Sequence, residues 1–425
     1  MFKDATLNEV SDAMHRSSTA FNSYKNVSIK QRALLMRTIA KEIEGLGDAL
    51  IQTTMRETNL PEARLKGERG RTIFQLNSYA DACEKGDWLE ARICQAIPEK
   101  TPPRPDIRKM LMPLGPVVVF GSSNFPYAYS TAGGDTASAL AAGCTVVVKA
   151  HPAHPETSAM VAGAIDKAIA SLNMPKDIFI HLHGASFAIG EALVKNEYTK
   201  AVGFTGSYSG GMALFNWANQ RKEPIPVFAE MGSVNPVYLF KEELANDPNG
   251  YANMLADSIT LGVGQFCTNP GIIVGLDSPA LVQFTEKLAE RISATTTGKM
   301  LHAGLAQSYE QKAKRVIGQK GVKVNSAQAN ELSKENAKAL VVSVTASNFL
   351  GNPTLREEVF GPFSIVVICN DYAEMKRVAE VMEGQLTSTL IATATELINH
   401  DEIIGIVKSK CGRLIMNGVP TGVEV

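Results

Sequence analysis

Hydrophobic positions recur at helical spacing through the first hundred residues. Leu35, Ile39, Ile43 and Leu46 fall on one helical face. Two helix starts are marked by polar residues: Thr6 with Glu9, and Ser28 with Gln31, have the spacing of a capping box. Between Ala91 and Gly115 the pattern changes. Pro98, Pro102, Pro103, Pro105 and Pro113 interrupt alternating residues such as Ile107 and Met110. Proline removes a ladder donor, so this segment reads as an edge ribbon and not a central strand. A subunit-contact arm and a plain surface excursion both fit it.

A regular alternation follows. Short β-branched runs at Pro116–Phe120, Thr145–Lys149, Ile178–His183 and Ala201–Thr205 are separated by helical stretches such as Thr157–Leu172. Strands alternating with helices predict parallel βαβ units in a doubly wound sheet. A second set runs through Ile272–Gly275, Ala339–Val344, Phe363–Cys369, Thr389–Thr393 and Arg413–Asn417, with the boundary between sets expected near Gly232–Asn235.

At 425 residues the chain exceeds one ordinary core, which agrees with two domains. Its formal charge of -1 gives no electrostatic reason to expect nucleic acid or an anionic membrane as partner. No apolar run reaches the roughly 18–20 residues of a membrane span, and Met1-Phe2-Lys3-Asp4 opens no secretion signal, so a cytoplasmic protein is expected. Six scattered cysteines without a CxxC pair argue against a disulfide framework or a metal site, so no metal is expected.

Four segments place polar groups at strand ends or in glycine-rich loops, where open α/β sheets bind ligands. In Gly121-Ser-Ser-Asn124-Phe-Pro126, Asn124 either caps the next helix or offers its amide to an oxyanion. Lys149 ends the next strand and either meets ribose hydroxyls or is solvated; His151 and His154 beside it read as structural histidines. Phe204-Thr-Gly206-Ser207-Tyr-Ser-Gly-Gly211 runs from strand to helix through glycines. It is either a tight turn or a pyrophosphate approach, without the dinucleotide GxGxxG spacing. Finally, Glu230 closes a strand, and Cys267 lies among Gly262, Gly264 and Gly271, an irregular loop that suits a nucleophile better than a core thiol. An inert thiol and a solvated carboxylate are the alternatives.

Taken in order, Asn124-Phe-Pro, Lys149, Phe204-Thr-Gly-Ser with Gly211, Glu230-Met-Gly, Gly264-Gln-Phe-Cys267 and Glu358-Val-Phe360-Gly-Pro362 resemble the aldehyde dehydrogenase superfamily. The resemblance implies an α/β fold. Residues 1–232 would hold the N-terminal helices and a Rossmann-type NAD(P)-binding domain, with 91–115 as a short proline-rich oligomerisation arm. Residues 233–425 would form an α/β catalytic domain. It implies Cys267 as nucleophile, Asn124 with the Cys267 backbone N–H as oxyanion hole, and Glu230 as the base that activates the hydrolytic water. Lys149 and Glu358 would hold the two riboses, Phe360 would pack beside the nicotinamide ribose, and Gly206, Ser207 and Gly211 would line the pyrophosphate approach. A small aldehyde substrate and a homodimer or homotetramer are also implied.

Three positions depart from the family pattern. Ser123 stands where many relatives carry Trp. Pro152 replaces a Glu that binds the adenosine ribose in NAD-preferring relatives, so NADP is expected to be admitted alongside NAD. Relatives also continue past the point where this sequence stops, so a truncated catalytic domain is expected. A finer resemblance, through Thr101-Pro-Pro-Arg104-Pro-Asp-Ile-Arg108, Gly133-Gly-Asp135 and Lys149-Ala-His-Pro-Ala-His-Pro155, is to 2-oxoglutarate semialdehyde (2,5-dioxopentanoate) dehydrogenases. An NADP-dependent enzyme for long-chain aldehydes is the alternative substrate class. An inactive structural relative, or an esterase, is the alternative of another kind.

Overall fold

The computed structural model describes residues 2–326 and 335–420. The chain divides into two compact units, Met1–Met231 and Gly232–Val425.

The first unit opens with four helices: α1 (Leu7–Tyr24), α2 (Ile29–Gly45), α3 (Gly47–Thr58) and α4 (Glu62–Lys85). Both predicted capping boxes form, Thr6 with Glu9 and Ser28 with Gln31, so each start satisfies two otherwise orphaned backbone donors. Leu35, Ile39 and Ile43 are buried as their spacing requires. Leu46 instead caps the end of α2, at the junction with α3.

A two-stranded antiparallel ribbon follows, β1 (Arg92–Cys94) against β2 (Ile107–Lys109). Its Ile93 and Ile107 are exposed, as are Met110 and Met112 just beyond. The rest is a βα succession: β3 (Val117–Phe120), α5 (Gly134–Ala142), β4 (Val146–Lys149), α6 (Pro155–Ser171), β5 (Phe179–Leu182), α7 (Phe187–Lys195), β6 (Ala201–Gly206), α8 (Tyr208–Asn219) and β7 (Val227–Met231). The five strands form one parallel sheet in the order β5-β4-β3-β6-β7. Helices on both faces explain why β3 reads as an uninterrupted hydrophobic run and is buried throughout. On one face Val10, Ala13 and Met14 of α1 pack with Ile189 and Leu193 of α7 and Leu214 of α8 over Val118, Val147 and Val202. The order reverses between β3 and β6, and that switch point is where such sheets open a ligand crevice at their carboxyl edge.

The second unit contains β8 (Val237–Leu239), α9 (Lys241–Asn246), α10 (Pro248–Thr260), β9 (Ile272–Leu276), α11 (Pro279–Ala294), β10 (Gly298–Lys299), α12 (Ala303–Ile317), β11 (Lys323–Val324) and β12 (Asn336–Ala337). Then come β13 (Leu340–Thr345), α13 (Ala346–Gly351), β14 (Phe363–Cys369), α14 (Tyr372–Val381), β15 (Gln385–Ile391), α15 (Ala394–Asn399), α16 (Asp401–Ser409) and β16 (Cys411–Met416). Among the described residues its main sheet is seven-stranded, β11-β13-β14-β9-β8-β15-β16, parallel except for β11. One expectation is corrected here. The strand read as Thr389–Thr393 is β15, starting four residues earlier at Gln385. Its first half, Gln385-Leu-Thr-Ser, lacks β-branched hydrophobes, but Thr387, Ser388 and Thr389 are buried polar residues serving the network described below.

Candidate active site

In the first unit, the segments singled out in the sequence line the carboxyl edge of the five-stranded sheet. Asn124 lies in the turn after β3, and the next helix, α5, begins only at Gly134, so Asn124 is not its N-cap. Lys149 closes β4 with its ammonium half-buried. Burial pushes its pKa down, against the attraction of Asp4. Ser207 follows β6 and caps α8, accepting a hydrogen bond from the Gly210 N–H at 3.2 Å. The glycines on this helix are required by packing: a Cβ at Gly211 would strike Met231, and one at Gly206 the Phe204 ring. Glu230 sits in β7, in register with Thr205 of β6. His154 is buried, its Nε2 2.9 Å from the Ser122 carbonyl, and Pro152 is exposed.

The turn that carries Asn124 is held from one side by α4. Arg64, Glu68 and Arg71 recur there at helical spacing and reach the same six-residue stretch. Arg64 Nη2 donates to the Asn124 carbonyl at 2.5 Å. Glu68 Oε1 accepts from the backbone N–H groups of Tyr127 (2.8 Å) and Ala128 (3.1 Å). Arg71 Nη2 donates to the Tyr129 hydroxyl at 2.8 Å. Glu68 is fully buried, and desolvation pushes its pKa up to about 7 despite those amides and the two arginines. The sequence reading missed this trio because its charges look like a solvated helix face. Their i, i+4, i+7 recurrence was the available signal.

In the second unit, Cys267 occupies a turn between α10 and β9, half-buried. Cys83, Cys144 and Cys369 are instead buried, and burial raises their thiols, Cys369 to about 12. The loop before Cys267 turns left-handed at three successive residues, Gly262 (φ 55°), Val263 (φ 59°) and Gly264 (φ 63°). For the β-branched Val263 this conformation is strained, at a cost of roughly 1–3 kcal/mol. Close packing enforces it. A Cβ at Gly264 would collide with the Gly361–Pro362 backbone, and Gly298 leaves room for the Val263 side chain.

Neutral amides fix the rest of the loop. Asn235 is fully buried at φ 43° and makes every hydrogen bond its side chain offers. Its Nδ2 donates to the carbonyls of Cys267 (2.8 Å) and Asn269 (2.9 Å). Its Oδ1 accepts from Ser233 Oγ (2.9 Å), Thr387 N–H (3.2 Å) and Thr387 Oγ1 (3.0 Å). Gln385 Oε1 in turn accepts from the backbone N–H groups of Val234 (2.8 Å) and Asn235 (3.2 Å). Asn269 Nδ2 donates to the Gly361 carbonyl at 3.0 Å. Gln265 Oε1 accepts from the Leu301 N–H at 2.9 Å.

Glu358 and Phe360 line one narrow cleft together with Ser233, Phe266 and Asn269. Glu358 Oε1 accepts from the Ser233 N–H at 3.2 Å, and Lys312 Nζ donates to the Glu358 carbonyl at 2.9 Å. Burial raises the Glu358 carboxyl above its ordinary range.

The parts suit a dinucleotide. A parallel sheet with a switch point, a capped helix start after β6 and a partly desolvated ammonium after β4 offer donors to phosphate and ribose. Glu358 offers a carboxylate oxygen to a ribose hydroxyl.

The profile of the aldehyde dehydrogenase family matches residues 1–424. An alpha-ketoglutaric semialdehyde dehydrogenase from Azospirillum brasilense is 46% identical over the whole chain and 81% of its own length; one from Acinetobacter baylyi is 44% identical over the same shares. A salicylaldehyde dehydrogenase from Pseudomonas putida G7 superposes with a TM-score of 0.83 at 19% identity, over 99% of this chain and 84% of that one. The chain therefore belongs to the aldehyde dehydrogenase family, whose members oxidise aldehydes with NAD(P).

Proposed function

We propose that the protein oxidises 2-oxoglutarate semialdehyde (2,5-dioxopentanoate) to 2-oxoglutarate, using NAD or NADP. The observation that carries this reading is the 44–46% identity, over the entire chain, to two relatives named for that aldehyde.

In the proposed mechanism the Cys267 thiolate adds to the aldehyde carbon, giving a thiohemiacetal whose alkoxide takes a hydrogen bond from the Asn124 amide. A preorganised donor of this kind typically lowers such a barrier by roughly 2.7–4 kcal/mol. The bound nicotinamide supplies the hydride acceptor. Lys149, the start of α8 at Ser207, Gly206 and Gly211, and Glu358 with Phe360 hold the dinucleotide. Cys267 then carries a thioester, which is a good acyl donor because a thiolate leaves readily. Glu230 takes the proton of the water that hydrolyses it, releasing the carboxylate and restoring the thiolate. Pro152 brings no carboxylate to repel a 2′-phosphate, which supports use of either cofactor.

We also propose a cytoplasmic homodimer or homotetramer, with the β1–β2 ribbon as contact arm. Its support is the exposed Ile93, Ile107, Met110 and Met112 row, and among the described residues no helix is long and apolar enough to cross a membrane.

Initial rates of NAD(P)H formation test the substrate reading. The expected outcome is a kcat/KM at least about tenfold higher for 2,5-dioxopentanoate than for a long-chain aldehyde, with measurable rates from both cofactors. Preference for the long-chain aldehyde would replace the substrate class while keeping the chemistry.

A further inference from the structure

An aldehyde that ends in a carboxylate needs a cation a short way from the group that holds its carbonyl oxygen. Extended 2,5-dioxopentanoate puts about 5 Å between the aldehyde carbon and the carboxylate carbon, as four carbon–carbon bonds dictate. Around Asn124 the structure places two guanidinium groups in that range. Arg64 bonds the Asn124 carbonyl itself and lies 4.8 Å from the centroid of the Phe125 ring. Arg71 lies 6.0 Å from the same ring and 5.2 Å from that of Tyr129. The two rings meet edge to face at 5.2 Å and 82°. Each arginine is thus braced on an aromatic face and half-buried, neither swinging in solvent nor sealed from it.

The carboxylate in the group does not cancel them. Glu68 uses Oε1 on the Tyr127 and Ala128 amides, and its Oε2 is buried without a hydrogen-bond partner among the described residues. Burial keeps this carboxyl partly protonated near neutral pH. The trio therefore has a net positive charge beside the Asn124 turn, on a rigid helix. A guanidinium presents a planar fork of donors matched to a carboxylate. A long methylene chain laid there would desolvate two cations and return nothing for it.

We propose that Arg64 and Arg71, stacked on Phe125 and Tyr129, form the subsite that holds the carboxylate end of the substrate, with Arg71 the principal contact. Arg64 divides its donors between the ligand and the Asn124 backbone, so it links recognition of the far end to placement of the amide at the reacting end. The inference rests on the substrate reading above. It extends to any aldehyde carrying a carboxylate at similar reach.

The test is the ratio of kcat/KM for 2,5-dioxopentanoate to that for pentanal, which matches its length and lacks the charge. Wild type is expected to favour the charged aldehyde. Arg71→Gln should lower that ratio about 10- to 100-fold, mostly through KM, as loss of a charge-assisted hydrogen bond predicts. Arg71→Lys should recover part of it. If wild type shows the preference and both variants keep the ratio within about twofold, the subsite is elsewhere while the substrate reading stands. If wild type itself lacks the preference, both fail.

A second measurement needs no variant. Glutarate, but not 1,5-pentanediol, should shield Arg71 and Arg64 from phenylglyoxal in the intact protein, read by peptide mass mapping. Equal labelling with and without glutarate would overturn the assignment.

Discussion

The turn carrying Asn124 and the loop carrying Cys267 are both held rigid, but by opposite chemistry. The Asn124 turn is gripped by charged groups: two arginines and one buried carboxyl reach it from a single helix. The Cys267 loop is gripped by neutral amides from distant parts of the chain, Asn235, Asn269 and Gln265, with Gln385 behind them. Charged supports are stronger per contact and respond to pH and salt, whereas satisfied amides do neither and depend on complete pairing. The proposed nucleophile thus sits on the support that ignores solvent conditions, and the proposed recognition site on the one that senses charge.

The contrast can be broken most severely at Asn235. Asn235→Ala would strand the buried Cys267 and Asn269 carbonyls and the Thr387 hydroxyl together, at about 4 kcal/mol of stability. Chemical denaturation should show that loss. Asn235→Asp should be no better, since it removes the donor and buries a charge. A loss below about 1 kcal/mol in both variants would show that the loop does not depend on this amide.

A somewhat smaller effect is expected at Gly264, where alanine meets both a left-handed φ and the Gly361–Pro362 backbone. Gly264→Ala should cost about 3 kcal/mol and slow alkylation or turnover at Cys267 by displacing it. A variant with wild-type melting and wild-type turnover would remove strain from the description of this loop.

The charged support should reveal itself through pH. Glu68 holds its proton up to about 7 in the folded protein and loses it near 4.5 when unfolded. Its contribution to stability is therefore complete below pH 4.5 and is lost as pH rises through about 7, a change of about 2–3 kcal/mol. Glu68→Gln keeps the acceptor for Tyr127 and Ala128 and removes the titration. Relative to wild type it should gain stability at pH 8 over pH 5; equal differences at the two pH values would sink the assignment.

How legible these regions are in the sequence follows from the range of their contacts. Strands such as Val117–Phe120 and Phe363–Cys369 announce themselves because β-branched runs buried on both faces have no other reading. The segments around Asn124, Lys149, Ser207, Glu230 and Cys267 could be located because strand ends and glycine-rich loops are local signals. Their partners could not. Asn235 and Gln385 are ordinary polar residues until folding brings positions 150 apart together, and the same blindness moved the start of β15 from Gln385 to Thr389. Arg64, Glu68 and Arg71 resemble a solvated helix face until burial singles them out.

The central place of β8 has a consequence for synthesis. It lies between β9 and β15, so the strand that follows directly on Asn235 lacks one neighbour until residue 391 has been made. Ser233, Asn235 and Thr387 can meet only after the same point. During translation Cys267 emerges more than a hundred residues earlier, on a loop with no clamp yet. Its shape is completed late, when the chain bearing Gln385 leaves the ribosome. A nascent chain stalled before β15 would carry the thiol without the geometry that is proposed to make it a catalyst.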